Sequence, residues 1–306
     1  MKHIPNIPSA LAVLTLATLP LAAGTPAEPA ATMEPAAPKL KLNVLLQLDV
    51  SDSYITPRGL NVENDGVVFQ PLALLFANLY SSESSFVSDV TLTAGVWSSF
   101  HTETANSGPD PSHWNEFDPI LGLAYKLPYG LKFETNYTAF KSMTNAYPLS
   151  QHLELKLSLD DSKWMGKTFS LNPFVAYWRE LDNKATVAFV QSRAPESYYF
   201  TLGIDPTIKL DAVKIEFPTY INIVGDHFYQ QLNGDAGGSG LAVFSAAIKA
   251  SVPLKFIPQE YGFWTLYAGV KYYHMSNDGL EDGNTFAFGN HSTDPVQFHT
   301  GLTIFF

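Results

Sequence analysis

The chain alternates apolar and polar residues over long stretches. In residues 40–51 one parity is apolar, comprising Leu40, Leu42, Val44, Leu46, Leu48 and Val50. The other parity carries Lys41, Asn43, Gln47 and Asp49. The same alternation recurs in residues 152–160, 214–224 and 296–306. A period of two predicts β-strands with one apolar face and one polar face.

Segments of this kind occur along the whole body of the chain, without helical periodicity between them. We predict strands near residues 40–57, 66–80, 87–103, 116–127, 130–141, 150–160, 169–181, 197–205, 211–225, 241–252, 262–276 and 295–306. The absence of intervening helices favours an antiparallel meander over βαβ units. The predicted fold class is therefore all-β.

Three further features distinguish a membrane barrel from a β-sandwich or a propeller. The connections alternate between short turns and longer loops rich in Gly, Asn, Asp and Ser, as in outer-membrane barrels. Tyr and Trp recur near the strand ends, including Trp97, Trp178, Tyr199 and Tyr273, as expected of a membrane–water interface. The last strand ends on Phe306, which resembles the C-terminal signature of bacterial outer-membrane proteins. We predict a transmembrane β-barrel of about 12 strands in the bacterial outer membrane, with periplasmic termini.

The first 38 residues have a different composition. Lys2 precedes an apolar stretch at residues 10–23, and small residues follow it. This predicts a cleaved signal peptide over residues 1–24. Residues 25–38 are rich in Pro and Ala and predict a disordered tether. The barrel is predicted over residues 39–306.

Composition excludes several function classes. The chain has 29 acidic against 18 basic residues, which argues against a nucleic-acid partner because phosphate binding needs a basic surface. It has no cysteine, so disulfides, thiolate metal sites and a Cys nucleophile are excluded. We find no Gly-rich phosphate loop and no His-rich spacing, and predict neither cofactor nor metal.

The polar parity of the strands predicts the lining of the barrel, because a charge facing lipid is costly. The predicted pore-lining residues are Asp49, Asp89, Trp97, Lys132, Glu134, Glu154, Lys156, Lys214, Glu216, Lys249 and Lys271. Acids and bases are nearly balanced along this face. Two interpretations stay open: a water-filled pore with weak ion selectivity, or a closed lumen filled by salt bridges.

The long loops are acidic, with Glu63, Asp65, Glu116, Asp118, Asp278 and Glu281 among their residues. We interpret them as a solvated outer rim that divalent cations bridge to lipopolysaccharide; the alternative is a vestibule that concentrates cationic solutes. The other predicted partners are outer-membrane lipid, small solutes and, through Phe306, the barrel-assembly machinery.

Residues 50–70 read VSDSYITPRGLNVENDGVVFQ, and residues 94–99 read AGVWSS. These stretches resemble the TorF family of porins, whose first strand carries Ser-Asp-x-Tyr and Arg-Gly, followed by Gln-Pro and Gly-Val-Trp. The matching residues are Ser51, Asp52, Tyr54, Arg58, Gly59, Gln70, Gly95 and Trp97. The resemblance implies an outer-membrane barrel that conducts.

One motif points to a different function. His274-Met275-Ser276-Asn277 resembles the His-x-Ser-Asn motif of lipid A deacylase barrels, in which a His activates a Ser nucleophile. That family has eight strands, and its acidic partner has no clear counterpart here beyond Glu281. We therefore predict a channel for passive diffusion of small solutes and not an enzyme. The alternatives are a deacylase-like hydrolase and a non-conducting structural barrel.

Overall fold

The computed structural model describes residues 41–104, 108–186, 195–231, 233–289 and 292–306. The predicted signal peptide (1–24) and tether (25–38) lie outside these residues.

Strands form nearly all of the described secondary structure. The strands are β1 (Lys41–Ser51), β2 (Tyr54–Ile55), β3 (Asn61–Glu63), β4 (Val68–Ser81), β5 (Asp89–His101), β6 (Trp114–Lys126), β7 (Leu131–Ser142), β8 (Ser150–Leu159), β9 (Phe169–Ser170), β10 (Pro173–Asp182), β11 (Tyr198–Ile204), β12 (Thr207–Lys209), β13 (Lys214–Glu216), β14 (Thr219–Val224), β15 (Gly240–Pro253), β16 (Phe263–Met275) and β17 (Val296–Phe305). The α-helices are α1 (Ser162–Met165) and α2 (Asp278–Phe288), and Pro128–Gly130 and Gln259–Tyr261 form 3₁₀ turns.

The main sheet closes on itself. Successive strands pair antiparallel, β14 pairs with β15, and β1 pairs with β17 from Leu45↔Phe305 to Ser51↔His299. Three barrel strands are interrupted, namely β9 with β10, β11 with β12, and β13 with β14. Pro206 and Pro218 lie in two of these breaks, where proline cannot donate to the ladder. The ring therefore has 12 strands in meander order, which confirms the predicted fold.

The two ends of the barrel differ in their connections. Short turns at residues 82–88, 127–130, 160–168, 210–213 and 254–262 lie at one end. The connections at the other end, which follow β1, β5, β7, β10, β14 and β16, are mostly longer. The alternation agrees with the spacing seen in the sequence, and we call the two ends the short-turn end and the long-loop end.

Helix α2 was not predicted, because the loop sequence shows no helical periodicity. The helix begins where the Asn277 side-chain oxygen accepts a hydrogen bond from the Leu280 amide at 3.1 Å, and Asp278 and Glu281 lie in its first turn. An N-cap followed by acidic residues is the local signal that predicts such a start. In the described part of the chain, neither α1 nor α2 is long and apolar enough to cross a membrane.

The outer face of the barrel is a continuous apolar surface. Its side chains include Leu46, Leu75, Val96, Leu121, Leu157, Val175, Leu202, Ile248, Leu266 and Phe298, each more than a third exposed. Soluble monomers rarely expose so large an apolar area. A closed antiparallel barrel with this outer belt and a polar inner face is the architecture of outer-membrane barrels.

Candidate functional site

The first long connection folds into the barrel instead of outward. We call residues 52–67 the inward loop; β2 and β3 pair within it as a short hairpin. Ile55, Arg58 and Leu60 are each at most 6% exposed. The expectation that this loop forms part of a solvated outer rim is wrong. Its apolar side chains would be costly in water, and they are buried by packing inside the lumen.

The inward loop is hydrogen-bonded to strands on the C-terminal side of the barrel. The Pro57 carbonyl accepts hydrogen bonds from Tyr220 Oη at 3.1 Å and Asn222 Nδ2 at 2.8 Å. At its start, Gln297 Nε2 donates to the Ser53 carbonyl at 2.6 Å. Satisfied backbone groups allow a loop to lie inside a barrel at little cost.

Helix α2 holds the tip of the inward loop. Asn284 accepts a hydrogen bond from the Asn61 amide and donates to the Gly59 carbonyl, both at 2.9 Å. Gly59 has a φ of +85°, and a Cβ there would lie 2.8 Å from side-chain atoms of Leu280 and Val243. Both conditions favour glycine at this position.

Two carboxylates bind the inward loop to the N-terminal strands. Tyr54 Oη donates to Glu116 Oε2 at 2.8 Å, and Tyr147 Oη donates to Glu116 Oε1 at 2.5 Å. Glu63 lies 3.5 Å from His101 Nδ1. Burial acts to raise the pKa of Glu63, but hydrogen bonds from His101 and from backbone amides lower it overall.

These contacts also correct the predicted acidic rim. Glu63, Glu116 and Asp118 are at most 5% exposed and lie inside the barrel. Each is buried because the inward loop covers the inner wall at that height. Glu63 was assigned to the rim because loops that fold inward and outward look alike in composition, whereas Glu116 and Asp118 belong to β6, which begins earlier than the loop interpretation assumed.

The described residues line several cavities along the lumen, of which three are large. The aromatic cavity, of about 390 Å³, is lined by Tyr54, Ile55, Pro57, Arg58, Gln70, Leu72, Trp97, Asp118, Ile120, Thr138, Phe140, Trp178, Tyr199, Lys271, Tyr273 and Gln297. The charged cavity, of about 410 Å³, shares Pro57, Lys271 and Tyr273 with it and extends along β13 to β17. The mouth cavity, of about 680 Å³, lies at the short-turn end and includes Asp89, Lys126, Lys132 and Lys156.

Ion pairs line the charged cavity. Glu216 lies 3.0 Å from both Lys214 Nζ and Lys249 Nζ. On the neighbouring strands β1, β16 and β17, Asp49 Oδ2 accepts from Tyr267 Oη at 2.7 Å and lies 3.0 Å from His299 Nδ1. Acids and bases therefore neutralise one another along this wall.

The wall near the short-turn end is less fully paired. Lys132 Nζ lies 3.0 Å from Glu134. Glu154, which is two residues from Lys156 on the same face, instead accepts from Asn136 Nδ2 at 2.9 Å. Lys156 Nζ lies 4.4 Å from the centre of the Phe174 ring. Two oppositely charged residues that are two positions apart on one strand face thus form an ion pair in Lys132/Glu134 but not in Glu154/Lys156.

The residues of the family resemblance gather around the inward loop. Tyr54, Arg58, Gln70 and Trp97 line the aromatic cavity, and the rings of Tyr54 and Trp97 are 5.6 Å apart. The remaining motif residues have structural positions: Ser51 and Asp52 at the loop base, where Asp52 Oδ1 accepts from the Phe298 amide, Gly59 at the tip, and Gly95 opposite Leu74 in the β4–β5 ladder.

Several residues of the aromatic cavity were not identified from the sequence. Tyr199 and Tyr273 were interpreted as part of a membrane-interface belt, but both line this cavity inside the lumen. Trp97 was predicted to line the pore as well as to belong to the belt, and it lines the cavity together with Trp178. Their inward parity with neighbouring polar residues, for example Tyr273 with Lys271, was the signal available in the sequence.

The His274 motif lies at the long-loop end of β16. His274 Nδ1 lies 2.8 Å from Asp294 Oδ1, so the acid that pairs with this histidine is Asp294, which the sequence analysis had not considered. Hydrogen bonds from Tyr272, His274 and Thr293 lower the pKa of Asp294 to about 2. Ser276 Oγ donates to the Leu241 carbonyl at 3.1 Å. The motif thus supplies a His–Asp pair, while the hydroxyl is engaged with the backbone.

Comparison with known proteins gives only distant likenesses. No protein-family model matches the chain, and no curated protein matches its sequence. Among solved structures, the COG4313 outer membrane channel from Pseudomonas putida F1 is similar at 9% identity, over 90% of this chain and 100% of that one, with a TM-score of 0.49. The translocator domain of autotransporter NalP from Neisseria meningitidis has 12% identity, coverage of 86% and 88%, and a TM-score of 0.39. Salmonella typhi OmpF in complex with daunomycin has 11% identity, coverage of 87% and 97%, and a TM-score of 0.35.

Likenesses at these scores carry no argument about function. The TorF resemblance likewise stays a prediction, since no family model matches.

Proposed function

We propose that the chain is an outer-membrane channel for passive diffusion of small solutes, narrowed by the inward loop. The observation that carries this proposal is the series of cavities inside a closed barrel whose outer face is apolar. The apolar belt supports insertion into a bilayer. The two cavities that adjoin the inward loop support a route past it.

The dimensions of this route favour small solutes. The aromatic and charged cavities share Pro57, Lys271 and Tyr273, so they adjoin along one side of the inward loop. A solute would pass beside the loop and not through a wide central opening. Twelve strands enclose less space than the sixteen of an open porin, which also favours a narrow channel.

The charges of the lining favour weak ion selectivity. The charged cavity combines Lys214, Lys249 and Lys271 with Asp49 and Glu216. Bases and acids on one wall leave little net potential to exclude either sign of ion. The proposed lining is therefore the set Asp49, Asp89, Trp97, Lys132, Glu134, Glu154, Lys156, Lys214, Glu216, Lys249 and Lys271.

The partners follow from this location. We propose that outer-membrane lipid contacts the apolar belt and that the remaining acidic loop residues face lipopolysaccharide. Phe306 directly follows β17, and its amide donates to the Val44 carbonyl at 2.9 Å. We propose that the assembly machinery recognises this end.

Single-channel recording on the refolded protein in planar bilayers tests the proposal. We expect small ohmic conductance steps from the wild type. A variant with residues 54–62 replaced by a short Gly-Ser link should give larger steps, because the constriction is removed. If neither protein produces conductance steps, the proposal of a channel is refuted. A silent wild type with a conducting variant would show that the inward loop is a complete plug, and the native chain would then be a structural barrel.

A further inference from the structure

We infer that the aromatic cavity is a binding site for small aromatic anions, with Arg58 holding the anionic group. A binding site on the route of a solute would extend the proposed function, and that part of the inference rests on the proposed function. Ligand binding at the site can be tested without measuring conduction.

The walls of the cavity suit a flat apolar body. Six aromatic residues line it: Tyr54, Trp97, Phe140, Trp178, Tyr199 and Tyr273. The rings of Trp178 and Tyr199 are stacked, with centres 5.6 Å apart and planes 9° apart. A volume of about 390 Å³ lies within the range of small-ligand pockets, which combine apolar walls with a few fixed polar groups.

Arg58 is the fixed polar group with unused capacity. Its side chain is held against the Phe140 ring, with Cζ 4.3 Å from the ring centre, and the residue is 6% exposed. Within the described parts of the chain, Nε is shielded from solvent and has no hydrogen-bond partner. A buried donor without a partner is costly, and a carboxylate is the group that the guanidinium fork binds best.

Two amides beside Arg58 are in a similar state. Gln70 Nε2 and Gln297 Oε1 are buried, line the same cavity and have no partner among the described residues. The cavity therefore presents two unused donors and one unused acceptor around its aromatic walls. A carboxylate only accepts hydrogen bonds, so it can satisfy the two donors, whereas the Gln297 oxygen would need a donor from another polar group.

The charges around the cavity favour an anion. Arg58 and Lys271 line it together with one carboxylate, that of Asp118. Asp118 already accepts a hydrogen bond from the Lys141 amide at 3.3 Å. The nearby Glu116 is engaged by two tyrosine hydroxyls and does not line the cavity. An anion in the cavity is therefore attracted by two bases and repelled by one acid, whereas a cation is repelled by the two bases and attracted by the one acid.

The test is a ligand series on detergent-solubilised, full-length wild type. Benzoate, benzyl alcohol and acetate are titrated, and binding is followed by calorimetry and by the fluorescence of Trp97 and Trp178. We expect saturable benzoate binding at least tenfold tighter than that of either other compound. Equal binding of benzyl alcohol would show that the negative charge of the ligand does not contribute to affinity. Equal binding of acetate would show that the aromatic walls do not contribute. Either result overturns the inference.

Variants identify the residue responsible. Arg58→Gln should weaken benzoate binding at least tenfold, and Arg58→Lys should restore only part of it, because an ammonium lacks the guanidinium fork. Lys167→Gln, in an exposed short turn, makes the same change of charge away from all three cavities and should bind as wild type. Unchanged benzoate affinity in folded Arg58→Gln would overturn the inference. If that variant does not fold, the ligand series on wild type still decides.

Binding and conduction are measured separately, so their failures can be told apart. Benzoate binding by a protein that is silent in bilayers would leave this site standing and refute the channel. Conductance without any preference for benzoate would refute only the site.

Discussion

Leu155→Arg tests the orientation of β8 in a membrane. Leu155 lies between Glu154 and Lys156 on the outward parity, opposite Thr135 and Tyr177. An arginine at this position would face lipid. We expect the substitution to destabilise the folded barrel in a bilayer much more than changes to neighbouring inward residues.

The size of the effect follows from depth. Leu155 is the sixth residue of β8, which begins at Ser150. A rise of ~3.4 Å per residue and a strand tilt of about 40° place it ~13 Å from that end along the membrane normal. The apolar band of such barrels is ~25 Å tall, so Leu155 is near its middle, where Arg costs about 2–4 kcal/mol. This corresponds to a change of roughly 30- to 700-fold in the folding equilibrium.

Two matched variants serve as controls in reversible denaturant unfolding from phospholipid vesicles. Leu42→Arg, also outward but one residue from the start of β1, should cost at most about 1 kcal/mol near the interface. Lys156→Leu removes the contact with Phe174 inside the lumen and should cost about 1 kcal/mol or less. Equal costs for the two arginines, or a larger cost for Lys156→Leu than for Leu155→Arg, would refute the assigned orientation.

Four other predictions concern the inward loop, the lumen, assembly and catalysis. Gly59→Ala should loosen the loop and give larger, noisier conductance, whereas Gly166→Ala, at φ +104° with no atom within 4 Å of the added Cβ, should not; identical traces would contradict the packing argument. Lys271→Glu should shift the reversal potential in a KCl gradient toward cation selectivity, and an unchanged potential would place this side chain off the ion path. Deleting Phe306 should reduce insertion in cells but not refolding in detergent; normal cellular assembly would contradict recognition of this end. Ser276→Ala should leave conductance unchanged, and release of fatty acid from lipid A by wild type but not by this variant would favour the hydrolase.

The strands were predictable because alternation acts locally. In β1 and β8 every second residue is apolar, and a shift by one residue would place charges in lipid, so the pattern fixes both the strand and its orientation. The breaks at Pro206 and Pro218 follow from the missing amide hydrogen. The sequence also supplied the even strand count and the alternating loop lengths.

The inward loop was not predictable by the same reasoning. Its direction depends on partners such as Asn222, Asn284 and Gln297, which are 165 to 244 residues away in the chain. A local pattern carries no information about such contacts. The presence of Tyr54, Ile55 and Leu60 in a long connection was the one available signal, since loops facing water rarely need buried apolar residues.

The distance in sequence between the inward loop and its partners has a consequence for folding order. The loop joins the first two barrel strands and contacts β5 and β6, but its other docking groups lie on β14, β16, α2 and β17. Asp52 and Phe298 exchange two hydrogen bonds beside the seam where β1 meets β17. The loop therefore reaches its final position only when the last strand is in place. The loop would therefore dock only in a barrel that has closed. In a barrel that has not closed, the loop would not fill the lumen, and the lumen would be wider than in the native protein.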